Sequence, residues 1–210
     1  MNGFWYYWVL WLLIIYFCFF DENNVRRKKW IYISLFLIIS SYIVIPFLTV
    51  SLRISILMIA FLAFYFIAKM MIKDIIYAYV MASFVSFVFL SIKYFVYFEP
   101  IWLYISPFVM IISIIVFSVI VFVKKHINRL TITVVGIVQG ELLLLILLWQ
   151  KDHPSYRSFM IGDFTFLNIV SVSLLCILCW NSIETIVEMI KTKGLSRKPN
   201  IVLSQRNINT

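Results

Sequence analysis

The feature that most constrains this chain is its division into seven apolar runs, each close to the thickness of a bilayer's hydrocarbon core. They occupy residues 4–20, 30–50, 54–72, 75–98, 100–123, 130–149 and 166–190. A helix needs about 20 residues to cross that core, with a range of about 17–25. The runs are continuous, whereas barrel strands alternate over about ten residues, so helices are the expected spanning elements. The third run reaches its length only if Lys69 snorkels and the helix continues to residue 72. Residues 51–53 are the narrowest division and predict either a tight helical hairpin or one long kinked helix. Composition supports lipid as the solvent: 64% of residues are hydrophobic and 13% charged, against about 45–50% and about 25% in soluble domains. A soluble fold of this size buries only about 70% of its chain surface, too little to hide so many apolar side chains.

Charge then orients the bundle. Arg26, Arg27, Lys28 and Lys29 follow the first run, Lys69 and Lys73 the third, and Lys124, Lys125 and Arg129 the fifth. The basic tail, residues 191–210, adds Lys191, Lys193, Arg197, Lys198 and Arg206. That makes fourteen basic residues on one side, against Arg53, Lys93, Lys151 and Arg157 on or towards the other. The positive-inside rule therefore predicts an all-α polytopic bundle of seven spans, N-terminus outside and C-terminus cytoplasmic, in a cell membrane. The net charge of +9 lies in short tracts between apolar runs. It points to the bilayer and its anionic headgroups as partners, and not to nucleic acid. Trp5, Tyr6, Tyr7, Trp8, Trp30, Tyr32, Trp102, Tyr104 and Trp149 stand at run ends as interface anchors. The first run lacks a basic leader and a small-residue cleavage site, and reads as a retained span.

Ionisable and polar residues inside the runs are the candidates for function. Glu141 lies eleven residues into the sixth run, about 16 Å from its basic end. Burial in lipid favours the neutral acid unless a cation pairs with it, and Lys93 in the fourth run is the expected cation. Glu141 reads as a proton- or cation-binding residue, or more plainly as a carboxyl that joins helices. Gly136-x-x-x-Gly140 permits close helix approach. Gln139 shares the glycine face and points nearly opposite to Glu141, so the sixth span must touch protein on two sides. Tyr79, Ser83, Ser86, Lys93, Tyr94 and Tyr97 fall on one broad face of the fourth span. In the seventh, Asn181, Glu184 and Glu188 follow one stripe, with Glu184 and Glu188 forming an i,i+4 pair that nearby basic residues can neutralise. Pro46 and Pro107 are expected to bend the second and fifth spans.

Cys18, Cys176 and Cys179 lie in apolar runs. Cys176-x-x-Cys179 has no second pair or neighbouring His, so it reads as two small hydrophobes and not as a metal half-site. His126 and His153 have no ligand spacing, and no hydrolase, zinc-protease or phosphate-loop motif occurs. No cofactor, metal or catalytic residue is expected.

The aromatic opening Gly3-Phe-Trp-Tyr-Tyr-Trp, the basic first loop and about 200 residues of short-looped spans together resemble the YphA family of bacterial membrane proteins. The resemblance implies a plasma-membrane protein and carries no functional residue. The expected role is a non-enzymatic accessory or interaction component with a membrane-protein partner. A proton- or cation-coupled carrier using Glu141, and an intramembrane enzyme using Glu184 and Glu188, are the alternatives.

Overall fold

A computed structural model describes residues 3–47, 50–98, 106–150 and 159–196. Trp102, Tyr104, Lys151, His153 and Arg157, and the tail from Arg197, lie outside them. Among the described residues there are seven helices and three short strands. The helices are α1 (Phe4–Phe20), α2 (Asn24–Ser40), α3 (Ile54–Ile67), α4 (Ile72–Phe98), α5 (Pro107–Phe122), α6 (His126–Gln150) and α7 (Phe164–Ser196). The strands are β1 (Val44–Phe47), β2 (Val50–Arg53) and β3 (Met160–Ile161). Helices α4, α6 and α7 contain stretches long and apolar enough to cross a membrane, while α1, α3 and α5 are shorter apolar helices.

Local chemistry sets the helix starts. The Asn23 side chain accepts from Val25 N and Arg26 N at the head of α2, and Asp163 accepts from Phe166 N at 2.7 Å at the head of α7. Such caps satisfy amide groups that have no partner within the helix. Ser106 caps α5 and Pro107 is its first residue, a position where a missing N–H costs nothing. Pro107 therefore opens α5 instead of bending a longer span. At the other end of α5, Arg129 donates from Nε to Val123 O at 2.6 Å and reaches Ile120 O, covering the carbonyls the helix leaves open.

The second and third spans depart most from expectation. Helix α2 begins earlier than residue 30 and stops at Ser40, so the apolar run to residue 50 is not one helix. The chain turns at residues 41–42 and enters β1, which pairs antiparallel with β2 from Val44↔Arg53 to Phe47↔Val50. Pro46 sits in strand β1 and kinks no helix. Neither a helical hairpin nor a continuous helix joins α2 to α3. Strand β2 also pairs in parallel with β3, through Ser51↔Met160 and Leu52↔Ile161. The seventeen residues of α2 and fourteen of α3 reach only about 25 Å and about 21 Å at 1.5 Å per residue, short of a core about 30 Å thick. The paired strands extend them while keeping backbone groups bonded. Helix α3 ends at Ile67 and does not continue to residue 72, because residues 68–70 form a tight turn and Ile72 already opens α4. Lys69 lies over the Tyr65 ring at 4.2 Å.

Two compact units are formed, Met1–Ile177 and Leu178–Thr210. Within the first, α6 is the central helix: it packs against α3, α4, α5 and β3, most extensively against α4. Ile132, Ile137, Leu144 and Leu148 are fully buried along it. A Cβ on Gly136 would come within 2.7 Å of the Val85 side chain and 2.8 Å of Ala82 O, and one on Gly140 within 2.7 Å of the Phe89 ring. The glycine face of α6 is thus what lets α4 approach. Tyr6 is no interface anchor; it is buried, and its hydroxyl donates to Leu37 O at 2.9 Å. Outward positions remain apolar, with Phe19, Phe61 and Phe87 all more than three-fifths exposed. In the second unit, the α7 segment from Leu178 carries exposed Trp180, Ile183, Ile186 and Ile190.

Asp21, between α1 and α2, is buried and takes a two-pronged contact from Arg26, Nε to Oδ2 at 2.7 Å and Nη2 to Oδ1 at 2.8 Å. The Arg26 hydrogen bond holds the Asp21 carboxyl below the usual carboxylate range.

Two stability measurements in detergent follow. Gly136→Ala forces a rigid carbonyl and a β-branched side chain apart, so it should lose about 1–3 kcal/mol. Gly140→Ala meets the fully buried Phe89 ring at 2.7 Å and Ser86 O at 3.1 Å, so it should also destabilise, but by less, because the carbonyl is farther away and a helix-propensity gain of about 1 kcal/mol offsets part of the loss. Equal effects would show that backbone approach at Gly136 does not limit packing. For Asp21, a depressed folded pKa means a contribution present in full above the unfolded value of about 3.9 and lost as pH falls through the folded value. Asp21→Asn should therefore melt below wild type at pH 7, with the gap closing on acidification; a gap constant with pH would exclude the ion pair as its source.

Candidate functional site

Close approach of α4 and α6 brings Lys93 and Glu141 into one buried region. Glu141 is 1% exposed and Lys93 7%, so neither reaches bulk water, and Lys93 does not snorkel outward. They form no direct ion pair; Lys93 Nζ lies over the Phe89 ring, 5.6 Å from its centroid. Lys93 and Asp163 act on the Glu141 carboxylate through space, and the Gly162 backbone N–H faces it. Tyr97 shares this field, lying within reach of both Glu141 and Asp163. Glu141 Oε2 has no hydrogen-bond partner. A buried acceptor without a donor is costly, typically about 1–3 kcal/mol.

The turn between β3 and α7 completes the region. Gly162 has φ +74°, and a Cβ there would come within 2.9 Å of Ile56 Cβ. Both the left-handed backbone and the contact require glycine. The turn aims one N–H at Glu141 and places Asp163 as the α7 cap. Next to it, Arg53 is 6% exposed on β2. Its guanidinium lies 3.9 Å from the Phe164 ring centroid, donates to Met160 Sδ at 3.3 Å and to Ser41 O, and leaves Nε unpartnered. Arg53 thereby ties the α2 C-terminus, the sheet and the start of α7 together. The Tyr7 hydroxyl bonds Ser41 Oγ at 2.9 Å, and Asn168 Oδ1 accepts from Tyr6 N at 3.0 Å, which adds α1.

Other residues singled out from the sequence lie elsewhere. Gln139 is half-buried with Oε1 unpartnered and is not among the groups acting on Glu141. The broad polar face of α4 divides: Ser86 and Lys93 are buried, whereas Tyr79 is 57% exposed. Asn181, Glu184 and Glu188 belong to the second unit, where Trp180 Nε1 donates to Glu184 Oε1 at 2.6 Å and Thr185 to Asn181 O. Among the described residues, no three His, Cys, Asp or Glu side chains converge as a metal site would require. From sequence Arg53 reads only as an outside charge, and Gly162 and Asp163 are not among the candidate site residues; the signal available is a lone Arg between two apolar runs and a Gly-Asp pair before the seventh.

Chemically, the region is a sealed carboxyl with one unused oxygen, a buried ammonium nearby, and a second carboxylate at a helix start. It offers an unpartnered carboxyl oxygen at which a proton can sit, and it links α4, α6 and the turn between β3 and α7. A family model described as YphA-like integral membrane protein matches residues 2–200. The chain therefore belongs to that family. No curated protein and no solved structure matches it.

Lys93→Met and Glu141→Gln, singly and combined, test whether the two charges sense one another. A double-mutant cycle should give a coupling of about 0.5–3 kcal/mol, because each single change leaves the other buried charge without its counterpart. Additivity within about 0.3 kcal/mol would separate them into independent sites.

Proposed function

We propose that this YphA-like integral membrane protein crosses the plasma membrane seven times, N-terminus outside and basic tail in the cytoplasm, and serves as a non-enzymatic accessory component acting through a membrane-protein partner. The orientation rests on the fourteen-to-four bias of basic residues. In support of it, Lys29 and Lys69 converge on the Tyr65 ring, linking the α2 start to the α3 end, while Lys125 pairs with Asp74 at the α4 start.

The observation that carries the partner reading is the α7 segment of the second unit. Trp180, Glu184 and Glu188 recur every four residues and so share one face. Ile183, Ile186 and Val187 are exposed beside them. An apolar helix surface crossed by a polar stripe suits helix–helix association, in which polar side chains bond across the interface. A partner helix carrying donors or a cation complements it.

A second reading, a proton- or cation-coupled carrier, is favoured by the unpartnered Oε2 of Glu141, a carboxyl in the field of Lys93. It takes second place because Glu141 is sealed at 1% exposure, and a carrier must open to it.

One pair of measurements separates them. A photocrosslinker at Ile183 in native membranes should give a discrete adduct whose yield falls severalfold in Glu184→Ala/Glu188→Ala, and purified monomer in liposomes should show no flux under an imposed proton or cation gradient. Flux from the monomer that disappears in Glu141→Gln, with no discrete adduct, would replace the accessory role by the carrier.

A further inference from the structure

A cavity of about 300 Å³ opens at the end of the bundle where α4 begins and α5 gives way to α6. Its lining includes Asp74, Tyr77, Phe122, Lys124, Lys125 and Asn128. The volume lies at the lower end of the range for small-ligand pockets, about 300–1,000 Å³. We propose that this cavity binds the phosphate headgroup of an anionic phospholipid, whose acyl chains lie along the adjoining face of α4 and α5.

Charge comes first. Lys125 Nζ is held by both Asp74 oxygens, at 2.9 and 2.7 Å, so these two neutralise each other and cannot repel an anion strongly. Lys124 is exposed at the mouth and supplies the net positive charge. The first turn of α6 contributes the positive end of its helix dipole. Within that turn, Asn128 is only 7% exposed. Its side chain lines the cavity, and no hydrogen bond from it to another described residue is seen. An amide at the cavity wall has N–H groups that can donate to an oxygen bound there.

Shape then selects a lipid over free phosphate. The Tyr77 hydroxyl is spent on Phe122 O at 2.6 Å, leaving the Tyr and Phe rings as apolar walls. Phe122 and Phe84 meet edge-on at 5.7 Å, and the surface continues over exposed Val121 and Val80. A soluble anion gains nothing from these walls, whereas a phospholipid covers them with hydrocarbon while its phosphate meets Lys124 and Asn128. The site is independent of the Glu141 region and of the partner reading above.

The test titrates delipidated full-length protein in neutral detergent with phosphatidylglycerol, phosphatidylcholine or inorganic phosphate, followed by thermal shift and native mass spectrometry. Phosphatidylglycerol should bind in preference to phosphatidylcholine. Its apparent affinity should fall about tenfold in Asn128→Leu, as expected for losing a hydrogen bond to a charged group, and about fivefold in Lys124→Gln. Lys28→Gln, a basic residue outside the cavity, should bind as wild type does. Since Lys124 is exposed, its variant keeps the test valid even if Asn128→Leu folds poorly. Unchanged affinity in Lys124→Gln, an equal loss in Lys28→Gln, or equal stabilisation by inorganic phosphate would each overturn the assignment. They would leave no headgroup site, a diffuse basic surface, or a soluble-anion site, respectively.

Discussion

The contact of α6 with α4 through Gly136 and Gly140 is what the rest of the first unit depends on. In lipid there is little hydrophobic drive between helices, so association relies on close van der Waals approach and interhelical polar contacts. With Val85 and Ala82 O lying where a Cβ on Gly136 would sit, the two backbones are as near as the chain permits. Everything farther along the pair inherits that geometry. At the very next residue after Gly140, the same approach brings Glu141 into the field of Lys93. Packing and electrostatics are here one event: a wider helix spacing would separate the charges and open the interior.

The sheet solves a second problem. Short α2 and α3 leave backbone polar groups that lipid cannot satisfy. Pairing β1 with β2 and β2 with β3 closes those groups, and buried Arg53 fastens the result by donating to Ser41 O and Met160 Sδ while covering Phe164. The sheet also holds the Gly162–Asp163 turn against Glu141. The irregular backbone is therefore the part that builds the polar region: β2 and β3 are buried at Val50, Arg53 and Ile161, while β1 keeps Val44 and Ile45 exposed.

Much of this was legible in the sequence, for identifiable reasons. Length and apolar continuity mark helices well where a run is long and uniform, and the first run and α1 share their limits. The glycine spacing on the sixth run pointed to a packed face, and charge opposite that face required a central helix. The hairpin was not legible, because a short apolar stretch has no periodicity that separates strand from helix. Val44, Ile45, Pro46 and Val50 are β-branched or edge-compatible residues, but within a twenty-one-residue run they read as more span. Asp163 and Gly162 were hidden for another reason: their significance comes from β3 pairing with β2, more than one hundred residues away in sequence. No local pattern reports such a contact.

The cations away from the basic end sharpen the proposed orientation. Of Arg53, Lys93, Lys151 and Arg157, the two within the described residues are both buried, Arg53 at 6% and Lys93 at 7% exposure. A buried cation answers to nearby carboxylates and aromatic faces, and it is a poor topology signal once folded. At the opposite end, Arg26, Lys69 and Lys125 pair at helix junctions with the buried Asp21 carboxylate, the Tyr65 ring and the Asp74 carboxylate, respectively. Counting Arg53 and Lys93 as outer-loop charges therefore understates the bias behind the proposed orientation.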